Sequence, residues 1–389
     1  MRSFSKWAIL AMSLAVAGCS YLPSQGPSAS DVVSGGATSA EVAPRYLVVN
    51  LDRRAIDILK KEPNLSLSGR FGRRGGAGSS VIGIGDSVSV TVWEAASGGL
   101  FSSASINGVT AGSHSAAIPE QVVGRDGDIT IPYAGRIRVA GSTTAQVERA
   151  VVSRLQGKAI EPQALVTVTR NLSNTVTVTG EVTNGARVPL SAGGDRVLDV
   201  IAAAGGIRAP VPEVFIDLSR GGATAKVPMQ ALLNHPEENI YVRPRDVLTV
   251  VREPQTFTVF GSAGRNALVP FDAIGITLEE AVAKAGGILD SSADPAGIFL
   301  FRSERAAVAR ELDPAYPIDP ADRVVNVVYK VNLRDAATYF LARNFAIRNK
   351  DVIYVAAAPA MELYKAMQLF STLTQPALTG ASICMSGKC

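Results

Sequence analysis

Thr177-Val-Thr-Gly180-Glu-Val leads into Val188-Pro189-Leu190 and then Leu198-Asp-Val-Ile-Ala-Ala-Ala-Gly205-Gly206-Ile207. The same order returns as Thr258-Val-Phe-Gly261-Ser-Ala, Val269-Pro270-Phe271 and Leu278-Glu-Glu-Ala-Val-Ala-Lys-Ala-Gly286-Gly287-Ile288. Four landmarks share one offset, since 261−180, 270−189, 286−205 and 288−207 each give 81. A fixed period of this kind marks a duplicated structural unit.

In each copy an alternating β-branched run ends at a glycine, where the chain must turn, and a second short strand carries Val-Pro. Proline has no N–H to give a ladder, so the Val-Pro strand is predicted at a sheet edge. Val197, Leu198, Ile201 and Ala204 follow at helical spacing, as do Leu278, Val282 and Ala285. Gly-Gly closes the helix, because the residue past a C-cap usually takes positive φ. Each copy then returns to a strand in a similar form, Ile240-Tyr-Val-Arg-Pro-Arg-Asp246-Val-Leu-Thr-Val and Phe345-Ala-Ile-Arg-Asn-Lys-Asp351-Val-Ile-Tyr-Val. The predicted unit is strand, turn, strand, helix and closing strand, a small α+β module used twice.

The whole chain, 389 residues long, suits two to four domains. A 47% hydrophobic content with 6% aromatics and 36 glycines favours short strands and tight turns over helical bundles. A net charge of +4 makes no case for nucleic acid, and Arg70, Arg73 and Arg74 read as a solvated loop. The only histidines, His114 and His235, leave little for a triad or a zinc site. Gly83-Ile-Gly85-Asp86 lacks the third glycine of a dinucleotide loop, and Gly72-Arg-Arg-Gly75-Gly-Ala-Gly78 lacks a phosphate-loop lysine. No carboxylate pair is singled out for glycan cleavage. The expectation is a non-enzyme without catalytic residue, metal or cofactor.

The N-terminus reads as a secretion signal: Arg2 and Lys6, then an apolar core from Trp7 to Ala17 too short to span a bilayer. It ends in Val16-Ala17-Gly18-Cys19-Ser20, which resembles a bacterial lipobox. That resemblance implies lipidation of Cys19 and, with Ser20 next, sorting to the outer membrane; an ordinary signal with a chance cysteine is the alternative. Several acyl chains make a firm anchor, each buried CH₂ contributing about 0.8 kcal/mol. Residues 19–45 are expected to form a flexible tether. Tyr46–Leu51 restarts structure as a strand, followed by a short helix through Ile56 and Leu59.

Ile82-Gly-Ile-Gly-Asp86-Ser-Val88-Ser-Val90-Thr-Val92-Trp93 alternates cleanly, with the valines on one face. A Ser/Gly/Ala-rich insertion over about 95–117 reads as an exposed loop. Asp126-Gly127 signals a hairpin turn, and Ile129, Ile131, Ile137 and Val139 alternate around a second turn. Thr143 or Thr144 can cap a helix to about Leu155, and Pro162-Gln163 opens a valine-rich strand.

Gly85-Asp86 with its valine strand, Asp126-Gly127 with Ile-x-Ile-Pro132 and Gly135, and Pro162-Gln163 resemble the polysaccharide-export domain of bacterial outer-membrane exporters. The duplicated unit resembles the β-grasp-type SLBB modules of the same proteins. The resemblance covers nearly the whole chain and is closer to the capsule-export lipoproteins of ABC-transporter systems than to the Wza type. It implies a multi-domain α+β periplasmic protein: signal peptide 1–18, tether 19–45, export domain 46–172, repeats 173–254 and 255–357, and a C-terminal helix and tail 358–389. It also implies a homo-oligomeric ring carrying polysaccharide across the outer membrane. The export domain would face an inner-membrane polysaccharide co-polymerase of an ABC-transporter complex, with no nucleic acid involved. An anchored periplasmic lipoprotein that binds glycan or scaffolds a complex without forming a pore is the other reading.

The last segment starts at Pro359, a residue suited to a first helical position. Leu363, Met367, Phe370 and Leu373 fall on one side of a helical projection, and Glu362, Lys365, Gln368, Ser371 and Gln375 on the other. Sixteen residues span about 24 Å, and the bacterial outer membrane is thinner than average. Taken alone, such a helix lies on a membrane or docks on its own domain. The resemblance implies instead a ring of helices, an α-helical barrel in which Leu363, Met367, Phe370 and Leu373 meet lipid and the polar set lines the lumen, with the C-terminus at the cell surface. Cys384 and Cys389 could pair, bridge subunits or lie idle in the tail.

Overall fold

The computed structural model describes residues 26–35, 46–61, 66–72, 81–95, 100, 115–361, 364, 367 and 368. They fall into two compact units, one of the chain up to Asn64 joined by the chain from Pro254 onward, the other of Leu65–Glu253. The first described elements, a helix Ala29–Ser34, strand β1 (Leu47–Asn50) and a helix Arg53–Lys60, belong to the unit completed after Pro254.

Within Leu65–Glu253, a short helix Leu67–Phe71 precedes β2 (Ser87–Trp93), β3 (Ser115–Val122), β4 (Asp128–Ile131), β5 (Gly135–Arg138), a helix Thr144–Leu155 and β6 (Gln163–Arg170). β2 lies between β3 and β6, all antiparallel, and β4 pairs with β5 as a hairpin. Val88, Val90 and Val92 are buried with Ile129, Ile131, Ile137 and Val139 under Val147, Val151 and Leu155 of the helix. Thr143 caps that helix in a reciprocal box with Gln146. Asp126-Gly127 joins β3 to β4, which are not paired, so it is not a hairpin turn; the second expected turn, at residues 132–134, closes the β4–β5 hairpin.

The first repeat follows as β7 (Thr175–Gly180), β8 (Ala186–Pro189), a helix Val197–Ala203, β9 (Val214–Arg220), β10 (Ala223–Pro228), a helix Met229–Asn234 and β11 (Val247–Arg252). The sheet order is β10-β9-β11-β7-β8, with β11 parallel to β7. The Val-Pro strand β8 sits at the edge, as a missing N–H requires. The predicted unit lacked the β9–β10 hairpin and the helix after it. Val214-Phe-Ile-Asp-Leu has no clean alternation because Phe215 is buried on the opposite face from Val214, Ile216 and Leu218.

The second repeat is β12 (Gln255–Gly261), β13 (Ala267–Phe271), a helix Leu278–Lys284, β14 (Ala293–Arg305), a helix Ala306–Leu312, β15 (Val324–Val331), a helix Ala336–Ala342 and β16 (Val352–Ala357). Its order, β1-β15-β14-β16-β12-β13, is that of the first repeat with β1 added parallel to β15. One glycine per copy explains why the first strand ends as it does. A Cβ on Gly180 would meet the Val250 carbonyl oxygen at 2.0 Å, and one on Gly261 the Val355 oxygen at 2.1 Å, with both residues at positive φ. The parallel strand passes too close there for any side chain.

Two expected boundaries change. The stretch 46–61, assigned to an export domain 46–172, instead builds onto the second repeat: Leu47, Leu51, Ala55, Ile56 and Ile58 are buried in that repeat's core. Leu67 likewise enters the core of the first repeat, not that of the export domain. Nor is all of 19–45 a tether. Ser28 caps the helix Ala29–Ser34 in a box with Asp31, and Val32 is buried against Phe299, Val328, Tyr354 and Ala356 of the second sheet. A single buried residue on a six-residue helix is a weak sequence signal, which composition rich in Ser, Gly and Ala conceals.

Candidate functional site

The same turn recurs in all three modules, and it organises the surfaces around it. Gly83-Ile-Gly-Asp86, Arg243-Pro-Arg-Asp246 and Arg348-Asn-Lys-Asp351 each place a buried aspartate whose Oδ2 accepts the amide of the turn's first residue, at 2.7, 2.7 and 2.8 Å. The residue before each aspartate has positive φ: Gly85 at 93°, Arg245 at 68° and Lys350 at 70°. Gly83-Ile-Gly85-Asp86 is therefore a structural turn. Asp86 also takes the amides of Leu172 and Ser173 at 2.8 and 2.7 Å and the Ser173 hydroxyl at 2.7 Å, which fixes the end of the export domain to the start of the first repeat.

In the repeats an arginine completes the clasp. Arg220 donates to both Asp246 oxygens and to the Tyr241 carbonyl, and Arg302 does the same with Asp351 and the Ala346 carbonyl. Arg220 packs on Phe71 of the short helix, 5.0 Å from the ring centre, and Arg302 on Phe345 at 4.9 Å. The second repeat adds Glu304, fully enclosed, which accepts from Tyr329 at 3.0 Å and from Arg348 at 2.8 Å. Burial disfavours the charge on Arg302, but Asp351 and Glu304 outweigh it and hold the guanidinium above its ordinary range. Burial, reinforced by Glu304, pushes the Tyr329 phenol far up. The enclosed Arg302 and the partly exposed Arg348 thus pair with two enclosed carboxylates, a charge-neutral cluster.

The second sheet also gathers both ends of the described chain. Tyr354 donates to the Pro27 carbonyl at 2.7 Å, and Tyr46 to the Val32 carbonyl at 2.6 Å. A Cβ on Gly297 would touch Ala29 at 3.2 Å and Ala356 at 3.0 Å, so the segment following Cys19 and the strand preceding the C-terminal helix pass side by side. The last helix starts at Pro359, as its sequence predicts. On it Tyr364, Met367 and Gln368 are exposed, and the Gln368 amide donates to the Tyr364 hydroxyl at 2.9 Å. Met367 therefore does not dock on its own domain. Glu362, Leu363, Lys365, Phe370, Ser371, Leu373 and Gln375 lie outside the described residues, as do Cys19, Cys384 and Cys389. Among the described residues no helix is long and apolar enough to cross a membrane, and no cluster of metal-binding side chains occurs.

Comparison with known proteins follows this architecture. The polysaccharide biosynthesis/export protein family matches residues 76–169, and the SLBB domain family matches residues 175–230 and 255–355. Capsule polysaccharide export protein BexD of Haemophilus influenzae is 33% identical over 387 residues, 97% of each chain. Capsule polysaccharide export outer membrane protein CtrA of Neisseria meningitidis serogroup B is 34% identical over 367 residues, 93% of each. Vi polysaccharide export protein VexA/TviF of Salmonella typhi is 28% identical over 250 residues, 63% of this chain and 66% of its own.

Proposed function

Because the chain belongs to the polysaccharide biosynthesis/export family, alongside capsule export outer-membrane proteins that it matches almost end to end, we propose that it is an outer-membrane export conduit. It exports polysaccharide, capsular or related, from the periplasm to the cell surface. The conduit reading is that several copies form a ring whose C-terminal helices, residues 360–375, assemble a barrel. Single helices satisfy their own backbone hydrogen bonds in lipid, and a ring hides the face formed by Glu362, Lys365, Gln368, Ser371 and Gln375. The lipid-facing set is Leu363, Met367, Phe370 and Leu373. The chain does no covalent chemistry in this reading.

The convergence of both chain ends on the second sheet is the observation that carries it. Cys19, as a lipidated residue, would be eight residues from Pro27, a reach of about 28 Å. The docked helix Ala29–Ser34 then keeps the second repeat beside the leaflet that holds the anchor. Pro359 starts the C-terminal helix three residues after Ala356, which flanks Gly297 together with Ala29. A lipid anchor and a membrane-crossing helix leaving one end of one module both serve the same membrane. The export domain is then free to face a periplasmic partner of the inner-membrane export complex.

The test is a deletion strain complemented with tagged protein. The conduit predicts loss of surface polysaccharide with retained synthesis, and an epitope after Cys389 that is reached on intact cells. A tag reached only after the outer membrane is permeabilised, with normal surface polysaccharide, removes the barrel from the proposal. Cys19→Ser is expected to leave the precursor unprocessed or mislocalised; a mature mass equal to wild type would refute the anchor.

A further inference from the structure

Beside the Asp86 and Asp246 turns, the first repeat carries a cleft of about 490 Å³. Its polar wall is Thr175 and Thr177 of β7 with Arg187 of β8 and Arg245 of the turn, and Ile84 and Leu172 form an exposed apolar lip. We propose that this cleft binds an anionic sugar of the exported glycan, with Arg187 and Arg245 holding its carboxylate. The proposal rests on the export reading and adds the class of sugar that the periplasmic modules recognise.

Three observations support it. First, neither Arg187 nor Arg245 has a carboxylate partner among the described residues, although other arginines of this unit do, such as Arg220 with Asp246 and Arg252 with Glu213. Second, Arg245 stands at φ 68° after Pro244, the turn position where glycine is the unstrained choice and where the export domain has Gly85. A non-glycine residue kept in that backbone region points to a use for its side chain. Third, the site is not duplicated. Register places Leu268 in the second repeat where Arg187 stands in the first, because Thr177 pairs with Arg187 and Thr258 with Leu268. The repeats therefore differ in this cleft more than in their shared skeleton.

The chemistry fits a sugar acid. Two guanidinium groups match the planar, two-oxygen geometry of a carboxylate. Hydroxyls of Thr175 and Thr177 suit ring hydroxyls, and the C–H face of a pyranose can lie on Ile84 and Leu172. A glycan passing many copies of such a cleft needs weak, repeated contact, and open arginines provide that without trapping the chain.

The experiment uses the full chain in detergent, titrated with trigalacturonate, with its neutral methyl ester and with inorganic phosphate. Variants are Arg245→Gly, which suits positive φ, and Arg187→Leu, the residue found in the second repeat. Losing one charge-assisted contact is expected to weaken trigalacturonate about tenfold or more in each variant, while Arg245→Gly unfolds at a higher temperature than wild type. The methyl ester is expected to bind weakly to all three proteins. Unchanged trigalacturonate affinity, equal binding of the ester, or displacement by phosphate at equal concentration overturns the proposal. So does a change in oligomer size with binding intact, which would make the arginines a contact between copies. Surface polysaccharide in the same strains separates the two readings: failed binding with normal export defeats the cleft and leaves the conduit standing.

Discussion

Removing one charge from the enclosed cluster of the second repeat should be among the costliest single changes in the chain. Arg302 and Glu304 are almost fully enclosed, with side-chain exposures of 4% and 0%. Arg302 lies 3.5 Å from Glu304 and 2.9 Å from Asp351, and Arg348, partly exposed, adds the second cation. Arg302→Met nearly conserves volume but strands two carboxylates around a single arginine. Breaking a buried pair in this way costs about 3–5 kcal/mol, which in a unit of this size lowers the melting temperature by roughly 6–20 °C. Glu304→Gln leaves two guanidinium groups against one carboxylate and should cost a similar amount. The double variant Arg302→Met/Glu304→Gln restores neutrality, leaving the charges of Arg348 and Asp351 in the cluster, so its loss should fall short of the sum by at least about 1 kcal/mol. Urea unfolding followed by peptide-resolved hydrogen exchange reads this, with protection lost over β14 and β16 and kept over β9 and β11. Additive losses, or either single change costing under about 1 kcal/mol, would refute the argument that neutrality holds this core.

Further outcomes follow from the same structure. Burial works against the Glu238 carboxylate, but donors from Ser66, Leu67 and Ser68 outweigh it and hold its pKa below the usual range. A depressed carboxyl stabilises above its unfolded pKa, about 4.3. Exchange protection of residues 66–72, corrected for intrinsic rates, should therefore stay constant down to that pH and fall below it, and Glu238→Gln should abolish the step. Val32→Asp places a charge against Phe299 and Tyr354, so the helix Ala29–Ser34 should detach and become cleavable by protease while the sheet keeps its protection. Arginine at Met367 should cost about 2.5–3.5 kcal/mol per subunit if the site lies near mid-membrane. Arginine at Gln368 should insert normally; equal membrane yields of the two variants would argue against the barrel.

How much could be seen in the sequence depended on how local each cause was. The repeat was legible because its glycines answer to strict geometry, so Gly180 and Gly261 recur with the same clash behind them. Helix caps such as Thr143 and edge prolines such as Pro189 and Pro270 were legible for the same reason. Pairings between distant segments were not. β1 joins β15 across 280 positions (327−47), and nothing in Leu47-Val-Val-Asn names its partner. Arg187 and Arg245 also escaped notice, because two exposed arginines 58 positions apart (245−187) come together only through the parallel pairing of β7 with β11. A scan for residues that break the glycine pattern of the turn would have found Arg245 and Lys350.

The two repeats show how one skeleton was given two surfaces. Register equates Asp217, Ser219, Thr224 and Thr249 of the first repeat with Phe299, Phe301, Val328 and Tyr354 of the second. The inner faces stay alike, with Leu218 and Leu300 both fully enclosed. On the outer face the first repeat is polar enough that Asp217 keeps an oxygen without a partner, and burial raises its pKa. An apolar helix face would gain nothing there and would leave that carboxylate worse solvated. On the second repeat the same positions form an apolar shelf, and Val32 with Ala29 covers part of it. The chain thus selects between two nearly identical sheets by four outward residues. That selection ties the segment before β1 to the module that leads into the C-terminal helix, and leaves the first repeat's outer face polar.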